Sequence, residues 1–229
     1  MIETLPGISA YLETGGLTGE WRRALGLDVR AAVAFAPLSV DLLTPGELAR
    51  YRTLDGTERR RSWLTGRAAL RRLLRRLDRG PDTAGLSFPA PDMSLTHSGG
   101  MAVAVACLDG SGQGLGVDLE AGRPLRPESA RFFLSDGERA RLAVRGLSSA
   151  STGFEEALLR LWTAKEALFK ADAGNRERIL ADYHLSDPMA RRGRAALRPE
   201  LGRREFRYVS HRLAGWHLSL AACTGRTLA

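Results

Sequence analysis

Lysine is almost missing from this chain. Of its 34 lysine and arginine residues, only Lys165 and Lys170 are lysine, and both fall within Trp162-Thr-Ala-Lys-Glu-Ala-Leu-Phe-Lys-Ala171. A bias that replaces lysine by arginine leaves lysine where a compact ammonium does what a planar guanidinium cannot. Cysteine is as scarce. Cys107 and Cys223 are the only two, each in an apolar stretch, and they form no CxxC pair. That excludes a disulfide framework and a paired-cysteine zinc site, and the two read as reduced, buried side chains. Long apolar runs are also lacking: the stretch from Met101 to Leu108 is far shorter than the roughly 20 residues that a bilayer requires. The first residues have neither the basic start nor the apolar run of a signal peptide. These absences set the expectation of a soluble, cytoplasmic protein with no membrane partner.

What is present is arginine. The net charge is +8 and the isoelectric point near 10.4, a balance that favours an anionic partner: phosphates, nucleic acid or an acidic protein surface. Hydrophobic residues make up 44% of the 229, enough for an ordinary core in one large domain or two smaller ones. A nucleic-acid-binding module is one reading of the arginine-rich stretch at 59–79. Against it, that stretch carries a full apolar face that must be buried, and no aromatic–basic interleaving suited to base stacking is visible.

Hydrophobic periodicity predicts strands at 29–36, 93–96, 101–108, 115–120, 204–211 and 215–223. It predicts helices at 46–52, 58–77, 127–145 and 154–172. The Gly-rich segment 109–114 reads as a turn that folds 115–120 back on 101–108 as a hairpin, and 147–153 reads as a loop. The segments 99–107 and 215–223 resemble each other in length and character, a faint sign of two similar halves.

In Gly116-Val-Asp-Leu-Glu120, strand alternation projects Asp118 and Glu120 to one side and buries Val117 and Leu119 on the other. Two adjacent carboxylates repel unless a cation or proton is shared, and oxygen ligands are those magnesium prefers. An edge strand with two solvated acids satisfies the same pattern. In the lysine helix, Glu166 and Lys170 lie one turn apart, on an arc that overlaps Leu158, Trp162 and Phe169. Charge therefore interrupts the apolar side, where it needs a partner. Leu95-Thr-His-Ser-Gly-Gly100 has the composition of an anion-binding turn.

Taken in order, Thr96-His-Ser-Gly99, Gly116-Val-Asp-Leu-Glu120 and Trp162-Thr-Ala-Lys-Glu-Ala-Leu-Phe-Lys170 resemble the signature of the phosphopantetheinyl transferases, in particular the monomeric, surfactin-synthetase-activating type. The stretch Arg59-Arg-Arg-Ser-Trp-Leu-Thr-Gly-Arg-Ala-Ala-Leu-Arg71 is similar to that family's N-terminal helix, so the likeness runs from about residue 45 to 172. The resemblance implies transfer of the phosphopantetheine arm of coenzyme A to a serine of an apo acyl or peptidyl carrier protein, with release of adenosine 3′,5′-bisphosphate. It implies Mg2+ held by Asp118, Glu120 and Glu166, and Lys170 against the pyrophosphate. Thr96 and His97 match positions that hold the 3′-phosphate of coenzyme A. Arg50, Arg60 and Ser62 fall where further phosphate or adenine contacts lie. Ser135-Asp-Gly-Glu138 resembles a segment whose glutamate can assist deprotonation, so Glu166 is expected as the base, with Glu138 second. Lys165 is expected at the cofactor, or tying Glu166 or the carrier in place, and Lys165→Arg is expected to be tolerated. One departure stands out: Ser87-Phe-Pro-Ala-Pro-Asp92 carries no Gly-Lys-Pro turn, which removes one expected coenzyme A contact.

The implied fold is α+β, with two similar subdomains in pseudo-twofold arrangement, each a small antiparallel sheet packed with a long helix. The division falls at 1–112, on the 3′-phosphate side, and 113–229, on the magnesium side, with coenzyme A in the cleft between them. The partners expected are an acidic carrier surface and coenzyme A, without nucleic acid, and the protein is expected to act as a monomer. Arginine would steer the carrier, so its modification should slow as salt rises.

Overall fold

The computed structural model describes residues 11–12, 17–108, 114–122, 124–149, 151 and 153–225. The glycine-rich turn at 109–113 and part of the 147–153 loop lie outside them. In chain order the elements are α1 (Thr18–Leu25), β1 (Val29–Ala34), α2 (Pro45–Arg52), α3 (Thr57–Arg76), β2 (Met93–Ser98), β3 (Met101–Cys107) and β4 (Leu115–Ala121). They continue with α4 (Asp136–Val144), α5 (Phe154–Ala171), β5 (Tyr183–Leu185), β6 (Arg192–Leu197), β7 (Glu205–Leu213) and β8 (Trp216–Cys223). The architecture is α+β: two antiparallel sheets, ordered β1-β3-β2 and β4-β8-β7-β6-β5, are packed with helices.

Alternation along β3 sorts the layers. Ala102, Ala104 and Ala106, with Ala32 and Ala34 of β1, face α3 and meet Leu70, Leu73 and Leu74. Their small side chains let the helix lie close to the sheet. Met101, Val103 and Val105 face the opposite way, into a core shared with Val117, Leu119, Leu218 and Leu220 of the second sheet and Trp21 of α1. The outer face of the second sheet packs α5, through Leu158, Leu161, Ala164 and Leu168 against Tyr183, Phe206 and Tyr208. The two halves share one plan, but the second sheet has five strands to the first sheet's three.

Two expectations are corrected. Residues 115–121 do not pair back on β3, because both edges of β3 are already taken by β1 and β2; β4 pairs instead with β8, Asp118 opposite Ser219 and Glu120 opposite His217. The predicted helix 127–145 is broken. A short 3-10 stretch, Pro127–Phe132, is followed by a fresh start in which Ser135 caps α4. The Glu138 N–H donates to Ser135 Oγ at 3.3 Å and the Ser135 N–H donates to Glu138 Oε2 at 2.9 Å, a reciprocal capping box. Helix α1 and strands β5 and β6 were not expected from the sequence. They are short; Trp21 and Leu25 hold α1 to the shared core, and pairing within the second sheet holds β5 and β6. No helix among the described residues is long and apolar enough to cross a membrane.

A buried carboxylate ties the first half together. Glu47 of α2 is fully buried and accepts from the Thr44 N–H at 2.9 Å, the Thr83 N–H at 3.2 Å and the Arg71 guanidinium. Burial pushes its pKa up, but hydrogen bonds from Thr83, Thr44 and Arg71 outweigh burial and bring it down to about 2. The stabilisation is therefore complete above the ordinary value of 4.5 and is lost as pH falls toward 2. Glu47→Gln should cost about 3 kcal/mol near neutral pH, and thermal melts should show its midpoint less sensitive to acid than that of the wild type.

Candidate active site

The two sheets meet along β2 and β4, and the contact there is made by hydroxyls. Ser94 Oγ accepts the Val117 N–H at 3.0 Å, Thr96 Oγ1 the Leu119 N–H at 3.2 Å, and Ser98 Oγ the Ala121 N–H at 3.3 Å. Every second residue of β2 thus meets every second N–H of β4, as the period of two requires. Two of these hydroxyls also donate: Thr96 to Asp118 Oδ1 at 3.2 Å and Ser98 to Glu120 Oε2 at 3.1 Å. A strand of the first half thereby orients both carboxylates of the second.

Helix α5 brings the remaining charge. Gly116 makes this possible, since a Cβ there would stand 1.9 Å from the Ala167 carbonyl oxygen and 2.6 Å from the Ala171 nitrogen. Only glycine lets the helix backbone press on β4 and lay Glu166 and Lys170 beside Asp118. Lys170 Nζ is 2.6 Å from Asp118 Oδ1. The other oxygen, Asp118 Oδ2, is buried with no hydrogen-bond partner among the described residues. Glu166 makes no hydrogen bond to a described residue. Burial raises the pKa of Glu166 first, and Asp118 and Glu120 raise it further against Lys170. Glu120 is likewise raised by burial and then by Asp118, while Ser98, Trp162 and Lys170 act in the opposite direction. The three acids therefore sit within electrostatic reach of one another, and a cation would relieve them. As their side chains now stand, no three His, Cys, Asp or Glu residues among those described form a closed metal site. Asp118 is turned to Lys170, so sharing one ion would require the carboxylates to rotate.

On the first-half side, His97 lines two adjoining clefts. One, of about 280 Å³, is bounded by Glu58, Arg61, Ser62, Thr65 and Ser98. The other, of about 490 Å³, is bounded by Arg50, Arg59, Ser62, Trp63, Arg67 and Leu95. The His97 pKa is lowered, first by the protein around it and then by the Lys170 ammonium. Arg50 and Ser62 thus share one cleft with His97. Arg60 is not among the residues lining either cleft: its Nε donates to the Leu54 carbonyl at 2.8 Å and its guanidinium stacks over Tyr51. Thr96 is buried, with its hydroxyl turned to β4. Arg59, Arg61 and Arg67 had no separate signal in the sequence, because an arginine-rich helix offers no way to choose among its arginines without the cleft.

Lys165 and Glu138 lie elsewhere. Lys165 is fully buried, with Nζ 2.8 Å from Glu138 Oε2 and donating also to the Tyr183 carbonyl. Glu138 is 2% exposed and further accepts the Leu185 N–H at 2.8 Å. Burial holds the Lys165 pKa below its ordinary value against the pull of Glu138. The pair fastens α5 to α4 and β5, and neither residue lines the clefts beside His97. The expectations of a cofactor contact for Lys165 and a proton-accepting role for Glu138 thus give way to a structural ion pair.

Two antiparallel sheets are thus joined at a seam that brings three carboxylates and a lysine near one another. Residues 114–221, a little under half of the chain, match the family model of the 4′-phosphopantetheinyl transferase superfamily. The match covers Asp118, Glu120, Glu166 and Lys170, and it supports the superfamily and phosphopantetheine transfer in general. No curated protein matches the chain.

Two outcomes test this geometry. Ser98→Ala should lose about 1–3 kcal/mol, since it strands the Glu120 carboxylate and the Ala121 N–H together, and Ser98→Thr should recover most of it in urea unfolding. Lys165→Arg, against the sequence-based expectation, should lose about 3 kcal/mol by overfilling a sealed site, read as a lower unfolding midpoint.

Proposed function

We propose that the chain is a 4′-phosphopantetheinyl transferase of the surfactin-synthetase-activating type. It moves the phosphopantetheine arm of coenzyme A to a serine of an apo acyl or peptidyl carrier protein and releases adenosine 3′,5′-bisphosphate. The observation that carries this reading is the convergence of Asp118, Glu120, Glu166 and Lys170 at the seam between the sheets, beside a cleft edged with arginine. Residues 1–112 and 113–229 act as its two subdomains, with the chain working as a monomer in the cytoplasm.

The residues fit a divalent ion by their chemistry. All three donors are carboxylates, the hard oxygen ligands that magnesium takes, and Asp118 Oδ2 is a buried acceptor without a partner among the described residues. Asp118, Glu120 and Glu166 would hold Mg2+, which supplies charge neutralisation on the pyrophosphate as its P–O bond breaks. Lys170, on a flexible stem that is 29% exposed, can leave Asp118 and follow the departing phosphate. The serine oxygen forms the new bond to the phosphorus that carries the pantetheine arm, and its proton must leave. Glu166 would accept it, a role supported by its affinity for a proton, which burial raises. Arg50, Ser62 and His97 face the cleft where the 3′-phosphate and adenine would lie, and Arg59 and Arg67 add charge in place of the missing Gly-Lys-Pro turn. The remaining arginine excess suits an acidic carrier surface.

Incubation with coenzyme A, Mg2+ and several apo carriers, followed by intact-mass analysis, should show one phosphopantetheine unit added to the true partners. Asp118→Asn and Glu166→Gln should each abolish that gain while keeping a cooperative unfolding transition, and Lys170→Arg should also be severely impaired. Wild-type turnover in either carboxylate variant would remove the metal assignment.

A further inference from the structure

Beneath the first turns of α5, on the sheet face that also carries Asp118 and Glu120, the structure holds a further polar cavity of about 200 Å³. Its floor is formed by Arg160, Ser210 and His217, and its rim by Glu156, Arg191 and Arg212. His217 is 6% exposed, yet its ring makes no hydrogen bond to any described residue. The nitrogens of that ring keep access to solvent through the cavity it lines, where a ligand can meet them.

The unspent groups around this space are mostly donors. Arg160 is buried and uses two of its N–H groups on the Ala190 and Pro188 carbonyls, leaving others free. Ser210 and Ser219 share a single bond of 2.7 Å between their hydroxyls, which leaves one hydroxyl proton to give. Arg191 is exposed, and its side chain makes no ion pair or hydrogen bond to a described residue. The rim acid, Glu156, is already occupied by Arg212 at 2.9 Å. Asp187, the other acid near Arg160, accepts the Met189 N–H at 2.8 Å. Among the residues lining the cavity the one carboxylate is Glu156, already ion-paired, and an apolar group would leave these donors unmet.

We infer that this cavity is a binding site for a small phosphate-class oxyanion, held by His217, Arg160, Arg191, Arg212 and the Ser210–Ser219 hydroxyl pair. A tetrahedral anion presents several acceptors at once, which matches donors converging from α5, β7, β8 and the segment before β6. The arginines also depress the pKa of His217, after burial and against Glu156, which places them within electrostatic reach of the ring. The site adjoins the carboxylate seam, since His217 lies opposite Glu120 in the sheet, but none of the seam's acids lines it, and it stands independently of the proposed transfer reaction.

The chain has four histidines, so their imidazole NMR signals can be followed separately. Titration of the whole protein with inorganic phosphate should move the His217 signal saturably at sub-millimolar concentration. The His97 signal reports any phosphate that enters the catalytic clefts instead. The double variant Arg191→Gln, Arg212→Gln changes only rim side chains and should weaken the His217 response at least tenfold. Lys170→Ala should leave it unchanged. A phosphate monoester titrated alongside separates the sources: equal binding points to the phosphoryl group of a larger molecule, and weaker binding to the free ion. The proposal is overturned if His217 does not respond, if only His97 responds, or if the double variant binds like the wild type.

Discussion

The hydroxyl ladder between β2 and β4 is the interaction on which the candidate site depends. Ordinary sheet pairing would have joined these strands through their own N–H and C=O groups. Here Ser94, Thr96 and Ser98 occupy that role, and two of the three hydroxyls also bond the acids of β4. One-residue slippage would turn the hydroxyls away and aim Val117 and Leu119 where the acids belong. The register of the seam and the aim of the carboxylates are therefore one constraint. That constraint crosses between the halves, so the site exists only when both are folded and docked.

The helix side is fixed by a different device. Gly116 removes the one Cβ that would hold α5 off the sheet, and the buried Lys165–Glu138 pair anchors the middle of that helix to α4 and β5. Lys165 and Lys170, five residues apart, consequently do unlike work. Lys165 is sealed in the core, where a slender ammonium fits and reaches both a carboxylate and a carbonyl. Lys170 stands at the seam, partly exposed and able to move. Both positions favour lysine over arginine, which accounts for its survival in a chain that otherwise uses arginine.

Much of the fold was legible from periodicity. The alternation of valine and alanine in β3, the apolar stripe of α3 and the acids of β4 all follow from which neighbours are three, four or two apart. The hairpin expected between 101–108 and 115–120 was wrong, because local spacing carries no information on which edges are already occupied. Ser135 and Glu138 were misread for a related reason. A serine followed by a glutamate three positions later satisfies a capping box as well as a functional segment, and only the position of Lys165 separates the two. Arg59 and Arg67 could not be distinguished from the other arginines of their helix until the cleft beside His97 was in view.

By itself the sequence determined the residue types that can carry the chemistry: the alternating acids of β4, the Glu166–Lys170 turn of α5, and the hydroxyl–imidazole turn of β2. It did so because side-chain direction within one element is set by local backbone geometry. Only the tertiary structure decided which of those groups meet, since each meeting joins residues far apart in the chain through burial and hydrogen bonding. Thr96 went to Asp118, Lys165 to the core and His217 to a cavity of its own.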